Sequence, residues 1–94
     1  MKEKEFEKAK VFNLENSIGY AEDAIISKAI LKKAEGTITL FSFDEGQGLS
    51  EHTAPFDAQV HIIDGTARVY IDKKPFDLAK DDIIVLPANI PHAL

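Results

Sequence analysis

The chain has 94 residues, 45% of them apolar, and a net charge of −5, which fits one small domain and disfavours contact with nucleic acid phosphates or anionic membrane surfaces. We therefore expect neither nucleic acid nor a membrane as a partner. No cysteine is present and no segment approaches the roughly 20 apolar residues of a membrane span, so we exclude disulfides and thiolate sites and expect a cytoplasmic protein.

The predicted elements begin after a charged segment. Residues 1–10, MKEKEFEKAK, alternate in charge, which predicts a solvated arm ahead of one domain over residues 11–94. Residues 11–23 show no sustained period and predict irregular structure with at most one short strand. The next two runs, AIISKAILKK and TITLFSF, enclose an Ala-Glu-Gly turn and favour two antiparallel strands, with a short helix as the alternative for the first.

The C-terminal half continues as short strands. QVHII and TARVYI are separated by Asp64-Gly65, a dipeptide typical of two-residue hairpin turns, which predicts that these two strands pair. Further turns are expected at residues 73–75 and at Asp81-Asp82, before the apolar run IIVLP. Short strands at this spacing, without a helical segment of useful length, predict an all-β sandwich or barrel. Its aromatic side chains are expected in the core or at an interface.

Several positions resemble the two sequence motifs of the cupin superfamily. The first cupin motif reads Gly, five residues, His, one residue, His, three or four residues, Glu, six residues, Gly, and Gly46, His52 and Gly65 match it. The second reads Gly, five residues, Pro, one residue, Gly, two residues, His, and Pro87 and His92 match it. The resemblance covers about residues 40–94. It implies a single cupin-type antiparallel β-barrel, also called a jelly roll.

The chain departs from the cupin pattern at positions of the usual metal ligands. Ala54 stands where the first motif has its second His, and Ala58 stands where it has Glu, so two of the usual four ligands are missing. In the second motif Asp81 and Asn89 replace the glycines, and Asn tolerates left-handed backbone geometry better than most residues. The resemblance therefore implies a cupin whose metal site is degenerate.

The resemblance also implies that His52 and His92 converge inside the barrel. Two imidazoles alone make a weak site, since transition metals usually take three or four protein ligands. Regular strand alternation turns Gln59 and His61 outward, whereas a one-residue slip near Pro55 would turn them inward. We name as ligand-pocket candidates His52, His92 and Gln59. As candidate ligands of one divalent transition metal (Mn, Fe, Ni or Zn) we name His52, His92 and His61.

The end of the sequence bears on assembly. Cupin barrels normally continue beyond the second motif with one or two strands that close the sheet, whereas this sequence reaches Leu94 directly after it. An open sheet edge would remain, and natural proteins cover such edges, often by pairing with another chain. We therefore expect a homodimer, with a missing C-terminal strand as the alternative.

Three functions are compatible with these residues. The first is a small single-domain cupin that binds a small polar molecule in the barrel, without strong catalysis. The second is a metal-dependent dioxygenase or isomerase, and the third is a ligand-sensing or interaction module. Catalysis without a metal has little support, because no serine lies in a nucleophile motif and there is no cysteine. The first function is favoured, because half of the usual ligand set is replaced.

Overall fold

A computed structural model describes residues 5–94, so the first four residues of the predicted arm lie outside the described part of the chain. Residues 5–94 form β-strands and turns without a helix, and every strand pair is antiparallel, which confirms the predicted all-β class. Among these residues no helix is long and apolar enough to cross a membrane. The strands are β1 (Ile25–Lys33), β2 (Gly36–Phe43), β3 (Ala58–His61), β4 (Thr66–Ile71), β5 (Lys74–Ala79), β6 (Ile83–Leu86) and β7 (His92–Ala93).

The chain divides into two compact units between Gln47 and Gly48, and the first unit is a hairpin of β1 and β2. A two-residue turn joins the strands, as the Ala-Glu-Gly sequence predicts. The register shifts between Ala29 and Leu31, so Ile30 is an extra residue in β1. A bulge leaves a carbonyl outside the strand pairing, and the carbonyl of Ile30 accepts a hydrogen bond from the Phe6 N–H at 3.2 Å.

The described part of the predicted arm contacts this hairpin. Besides the Phe6 backbone bond, Lys33 Nζ lies 3.2 Å from Glu5 Oε1. The Lys33 hydrogen bond lowers the pKa of the Glu5 carboxyl from its ordinary value. Residues 11–23 contain turns and no strand, as their sequence predicts, and the buried Ser42 hydroxyl donates to the Gly19 carbonyl at 2.7 Å.

The second unit places two small sheets around an aliphatic core. One sheet pairs β3 with β6, and the other has the order β5-β4-β7. Val69 of β4 is completely buried, with Leu78 of β5 and Leu86 of β6 packed beside it. Alternation along β3 points Ala58 and Val60 at this cluster, since each is half-buried and in contact with it. The core is thus built from the inner faces of both sheets.

The predicted hairpin around Asp64-Gly65 is wrong. Both strands exist, but β3 pairs with β6 and β4 pairs with β5 and β7, so the dipeptide connects two sheets. The backbone shows the reason. A type I′ turn needs positive φ at both central residues, whereas only Gly65 has it, at 78°. The N–H and carbonyl of Ile62 bond instead to Asp82 and Asp81, which commits the end of β3 to β6.

The tight hairpin of this unit joins β4 to β5. Its turn residues are Asp72 and Lys73, with φ values of 49° and 67°, one position earlier than the turn predicted at residues 73–75. The turn expected at Asp81-Asp82 is present, and Asp82 Oδ2 accepts a hydrogen bond from the Ala79 N–H at 2.9 Å. Side-chain acceptance of a nearby backbone N–H is the property that makes aspartate a turn residue.

The aromatic side chains are largely excluded from the core. The fully buried apolar residues are all aliphatic, and the exposed fraction is 45% for Phe41, 63% for Phe56 and 42% for Phe76. Of the two predicted placements, the core is excluded for these three residues, and a place at an interface stays a prediction. The core of the second unit is instead formed by compact aliphatic side chains.

Candidate functional site

The candidate site forms where the segment before β3 meets β7. His52 and His92 exchange two backbone hydrogen bonds, each of 2.9 Å, and so lie directly opposite each other in an antiparallel bridge. Leu49 and Leu94 exchange another pair, each of 3.1 Å. The other edge of β7 pairs with β4, where His92 faces Ile71. The backbone of His92 is therefore positioned from both sides.

The segment opposite β7 carries a one-residue bulge. Between the two paired positions it has Ser50 and Glu51, whereas the facing strand has only Ala93. The extra residue removes the Ser50 carbonyl from regular strand pairing, and this carbonyl accepts a hydrogen bond from Nδ1 of His52 at 2.8 Å. The bulge therefore orients the His52 ring.

The two imidazole rings form a hydrogen-bonded pair. Nε2 of His52 and Nε2 of His92 are 3.0 Å apart, with ring centroids 4.4 Å apart and ring planes at 77°. His92 is only 5% exposed, whereas His52 is exposed. Nδ1 of His92 is buried and has no hydrogen-bond partner among the described residues. The pair thus has one ring in the interior and one ring open to solvent.

The turn before His92 is held from two sides. The Asn89 N–H donates to the Ala54 carbonyl at 2.7 Å, and the Ala88 N–H donates to Asp57 Oδ1 at 2.8 Å. Asp57 and Ala88 are 31 positions apart, so the sequence does not indicate this bond.

The left-handed backbone geometry of the two motifs is present both where glycine is kept and where it is replaced. Gly46 and Gly65 have φ values of 84° and 78°, and Asp81 and Asn89, which stand at the two glycine positions of the second motif, have 73° and 63°. Asp and Asn are the non-glycine residues that enter the left-handed region most readily. The expected tolerance of Asn89 for left-handed geometry is confirmed. The turn that presents His92 therefore survives the replacement of glycine.

Gln59 and His61 lie on the other face of β3. Both are exposed, whereas the alternate residues of the strand, Ala58 and Val60, are half-buried against the core. Their cross-strand neighbours in β6 are Val85 and Ile83, each 55% exposed. The inward slip that would have brought Gln59 and His61 to the pair is absent from β3. The structure thus brings together two of the four predicted site residues, His52 and His92, and leaves the other two on the outer face.

The donor set fits part of a metal centre. Two nitrogens that bind one ion at about 2.1 Å and at right angles are about 3.0 Å apart, which equals the observed separation of the two Nε2 atoms. Among the described residues, however, no group of three or more His, Cys, Asp or Glu side chains is placed to hold an ion. Ala58 contacts the core and supplies no donor. The residues present therefore do not fit a resident ion held by three or four protein ligands.

A side-chain ion pair of the second unit, separate from the two histidines, lies on the exposed surface of β4 and β5. Arg68 Nε is 2.7 Å from Asp77 Oδ1, and the two residues face each other across β4 and β5. The hydrogen bond from Arg68 lowers the pKa of the Asp77 carboxyl from its ordinary value. Both side chains are more than half exposed, which identifies a surface cross-strand pair.

Comparison with solved structures gives closely similar folds. A conserved protein of unknown function from Streptococcus pyogenes is 36% identical, with a TM-score of 0.88 over 99% of this chain and 82% of that one. A cupin superfamily protein from Desulfitobacterium hafniense is 28% identical, with a TM-score of 0.87 over 99% of this chain and 85% of that one. A cupin 2 conserved barrel domain protein from Leptotrichia buccalis is 45% identical, with a TM-score of 0.85 over 87% of this chain and 39% of that one.

The family comparison agrees with the structural one. No match is found among the curated proteins. The model of the cupin domain family matches residues 39–94, which contain both motifs and the whole second unit. The all-β fold, the left-handed turns at the motif positions and these matches point to one family. This chain belongs to the cupin domain family.

Proposed function

We propose that this cupin binds a small polar molecule at the His52–His92 pair and does not depend on a resident metal ion. The observation that carries the proposal is the pair itself. Its Nε2 atoms are 3.0 Å apart, with one ring buried and the other exposed. A ligand that replaces the direct bond between the rings meets one donor and one acceptor nitrogen, whereas two imidazoles are too few to hold a transition metal tightly.

The first experiment measures metal in the protein purified without a histidine tag. Elemental analysis is followed by calorimetric titration with manganese, iron(II), nickel and zinc, for the wild type and for His52→Ala and His92→Ala. We expect much less than one equivalent of metal per chain and only weak binding. One equivalent, lost in both variants but retained in His61→Ala, would contradict the proposal.

Ligand binding is measured separately by thermal unfolding in the presence of neutral sugars, polyols and small carboxylates. A ligand of the pair raises the melting temperature of the wild type, because it binds only the folded state, by an amount set by its concentration and its dissociation constant. The shift should disappear in His52→Ala and persist in His61→Ala, whose side chain lies on the other face of β3. An equal shift in all three proteins would place binding elsewhere.

The second candidate function is a metal-dependent dioxygenase or isomerase. The observation that favours it is the 3.0 Å separation of the two Nε2 atoms, which suits two adjacent ligands of one ion. It needs at least one more donor than the described residues supply at the pair. The metal measurement above decides between the two candidates, because only the enzyme requires a stoichiometric ion.

The third candidate, a sensing or interaction module, shares the ligand site with the first. It differs in requiring a partner protein whose affinity changes when the pair is occupied.

We place the protein in the cytoplasm as part of this proposal, on the basis of its composition without cysteine.

A further inference from the structure

The His52–His92 pair has a direction that follows from its hydrogen bonds. The Ser50 carbonyl can only accept, so Nδ1 of His52, 2.8 Å away, carries the proton when that ring is neutral. Nε2 of His52 then has a free lone pair. It accepts a hydrogen bond from the Nε2–H of His92 at 3.0 Å. In the neutral pair, His52 is therefore the acceptor and His92 the donor.

The opposite arrangement has two faults. If His52 donated through Nε2, its Nδ1 lone pair would face the lone pairs of the Ser50 carbonyl at 2.8 Å. His92 would then carry its proton on Nδ1, which is buried and has no acceptor among the described residues. A buried N–H without an acceptor is among the costlier faults in a folded protein. The direction of the pair is therefore determined by the backbone of the bulge.

We infer that the bulge at Ser50 and Glu51 polarises the His52–His92 pair, so that the pair selects a hydroxyl-bearing neutral molecule over a metal ion. This inference rests on the proposed function, since it names the ligand class of the same site. Ser50 acts as a positioning residue through its main-chain carbonyl. The polarisation of the pair depends on the extra residue, because regular strand pairing would engage the Ser50 carbonyl in a hydrogen bond between the strands.

The chemistry of the two ligand classes explains the selection. A metal ion needs the lone pairs of both Nε2 atoms, so the proton of His92 would have to move to Nδ1, where the described residues offer no acceptor. A hydroxyl group can donate to Nε2 of His52 and accept from the Nε2–H of His92 at once. Because the two Nε2 atoms are 3.0 Å apart and bonded to each other, the hydroxyl replaces their direct bond as the exposed His52 ring turns aside, and neither tautomer changes.

The direction of the pair is measured by ¹⁵N NMR of the imidazole rings at alkaline pH, where the rings are neutral. The chain has three histidines, so His61→Gln identifies the exposed control ring and leaves two to assign. We expect the proton on Nδ1 in His52 and on Nε2 in His92, with mixed tautomers for His61. The reverse assignment, or mixed tautomers at His52, would overturn the inference.

The role of the bulge is tested with a matched pair of variants. Deletion of Glu51 removes the extra residue and should abolish the Nδ1–H preference of His52. Ser50→Ala keeps the main-chain carbonyl and should retain that preference. Loss of the preference in Ser50→Ala would overturn the assignment to the carbonyl. If the deletion variant does not fold, the tautomers of the wild type and of Ser50→Ala still decide whether the main-chain carbonyl holds the proton on Nδ1 of His52.

Selection is tested by adding either zinc alone or myo-inositol to the wild type. We expect myo-inositol to shift the Nε2 signals of both rings while their tautomers stay the same, and one equivalent of zinc to leave the spectra unchanged. Metal-bound shifts at both Nε2 atoms with one equivalent of zinc would overturn the selection, and so would an absence of response to myo-inositol at every concentration tested.

The two proposals fail in different ways. The tautomers are measured on the protein alone, so a reversed pair overturns this inference even if a polar ligand binds. A correctly polarised pair that responds to the carboxylates of the thermal panel but not to myo-inositol contradicts the ligand class named here and leaves the proposed function standing.

Discussion

At the scale of single residues, Gly48 shows how closely the two strands of the site approach. A Cβ atom at this position would overlap the Leu94 carbonyl oxygen, which accepts a hydrogen bond from the Leu49 N–H. We expect Gly48→Ala to destabilise the protein by about 1–3 kcal/mol, because a backbone atom cannot move aside as a flexible side chain can.

Chemical denaturation measures this effect against Gly19→Ala. A Cβ atom at Gly19 would have no neighbour within 4 Å, so this control should leave the stability unchanged or raise it slightly. If Gly48→Ala were as stable as Gly19→Ala, the close approach would have no energetic consequence.

The site residues divide by how far the sequence predicts them. His52 and His92 could be named because their spacing matches motifs, whereas Gln59 and His61 were included only on the condition of a one-residue slip near Pro55. The Ser50 carbonyl could not be named, because every residue has a main-chain carbonyl and only the bulge makes this one available to His52. A role of a main-chain group cannot be recognised from the type of the residue that carries it.

At the scale of secondary-structure elements, the β4–β5 turn places two non-glycine residues in the left-handed region. Lys73, at φ 67°, has no side-chain feature that favours this geometry. We expect Lys73→Gly to stabilise the protein by about 0.5–1 kcal/mol, since glycine adopts positive φ without steric cost.

Lys74→Gly is the matched control, because Lys74 begins β5 and is paired with Ile71 in extended geometry. There glycine should destabilise by about 0.5–1 kcal/mol, as it does within strands. Urea denaturation of both variants gives the sign of each change in the free energy of unfolding. Changes of the same sign would show that the turn geometry does not limit stability.

The pairing of β3 shows why a turn dipeptide predicted the wrong strand partner. Asp64-Gly65 has the typical hairpin sequence yet connects two sheets, whereas Asp72-Lys73 forms the hairpin. The difference arises at Ile62, whose two backbone bonds to the β6 side fix the partner of β3. The burial of the β3 inner face against the core therefore has more influence on the choice of strand partner than the local turn preference has.

At the scale of the whole molecule, we propose that the protein is a homodimer. Ile83 and Val85 are each 55% exposed on one face of β6, where apolar side chains commonly mark a protein interface. Light scattering at micromolar concentration should give twice the 10.4 kDa of the chain. Val85→Lys should lower the mass to that of one chain, whereas Thr66→Lys on β4 should not. A wild-type mass of one chain would contradict the dimer.

The sequence by itself determined the all-β class, the cupin resemblance, the β1–β2 hairpin and the two histidines that form the pair. These features depend on residue type and short-range spacing, which act the same way in any fold. The tertiary structure alone decided that β3 pairs with β6, that Gln59 and His61 face outward, and that Ser50 orients the ring of His52. Each of these depends on which distant strands bury their faces together, and that choice is made by the packing of the whole core.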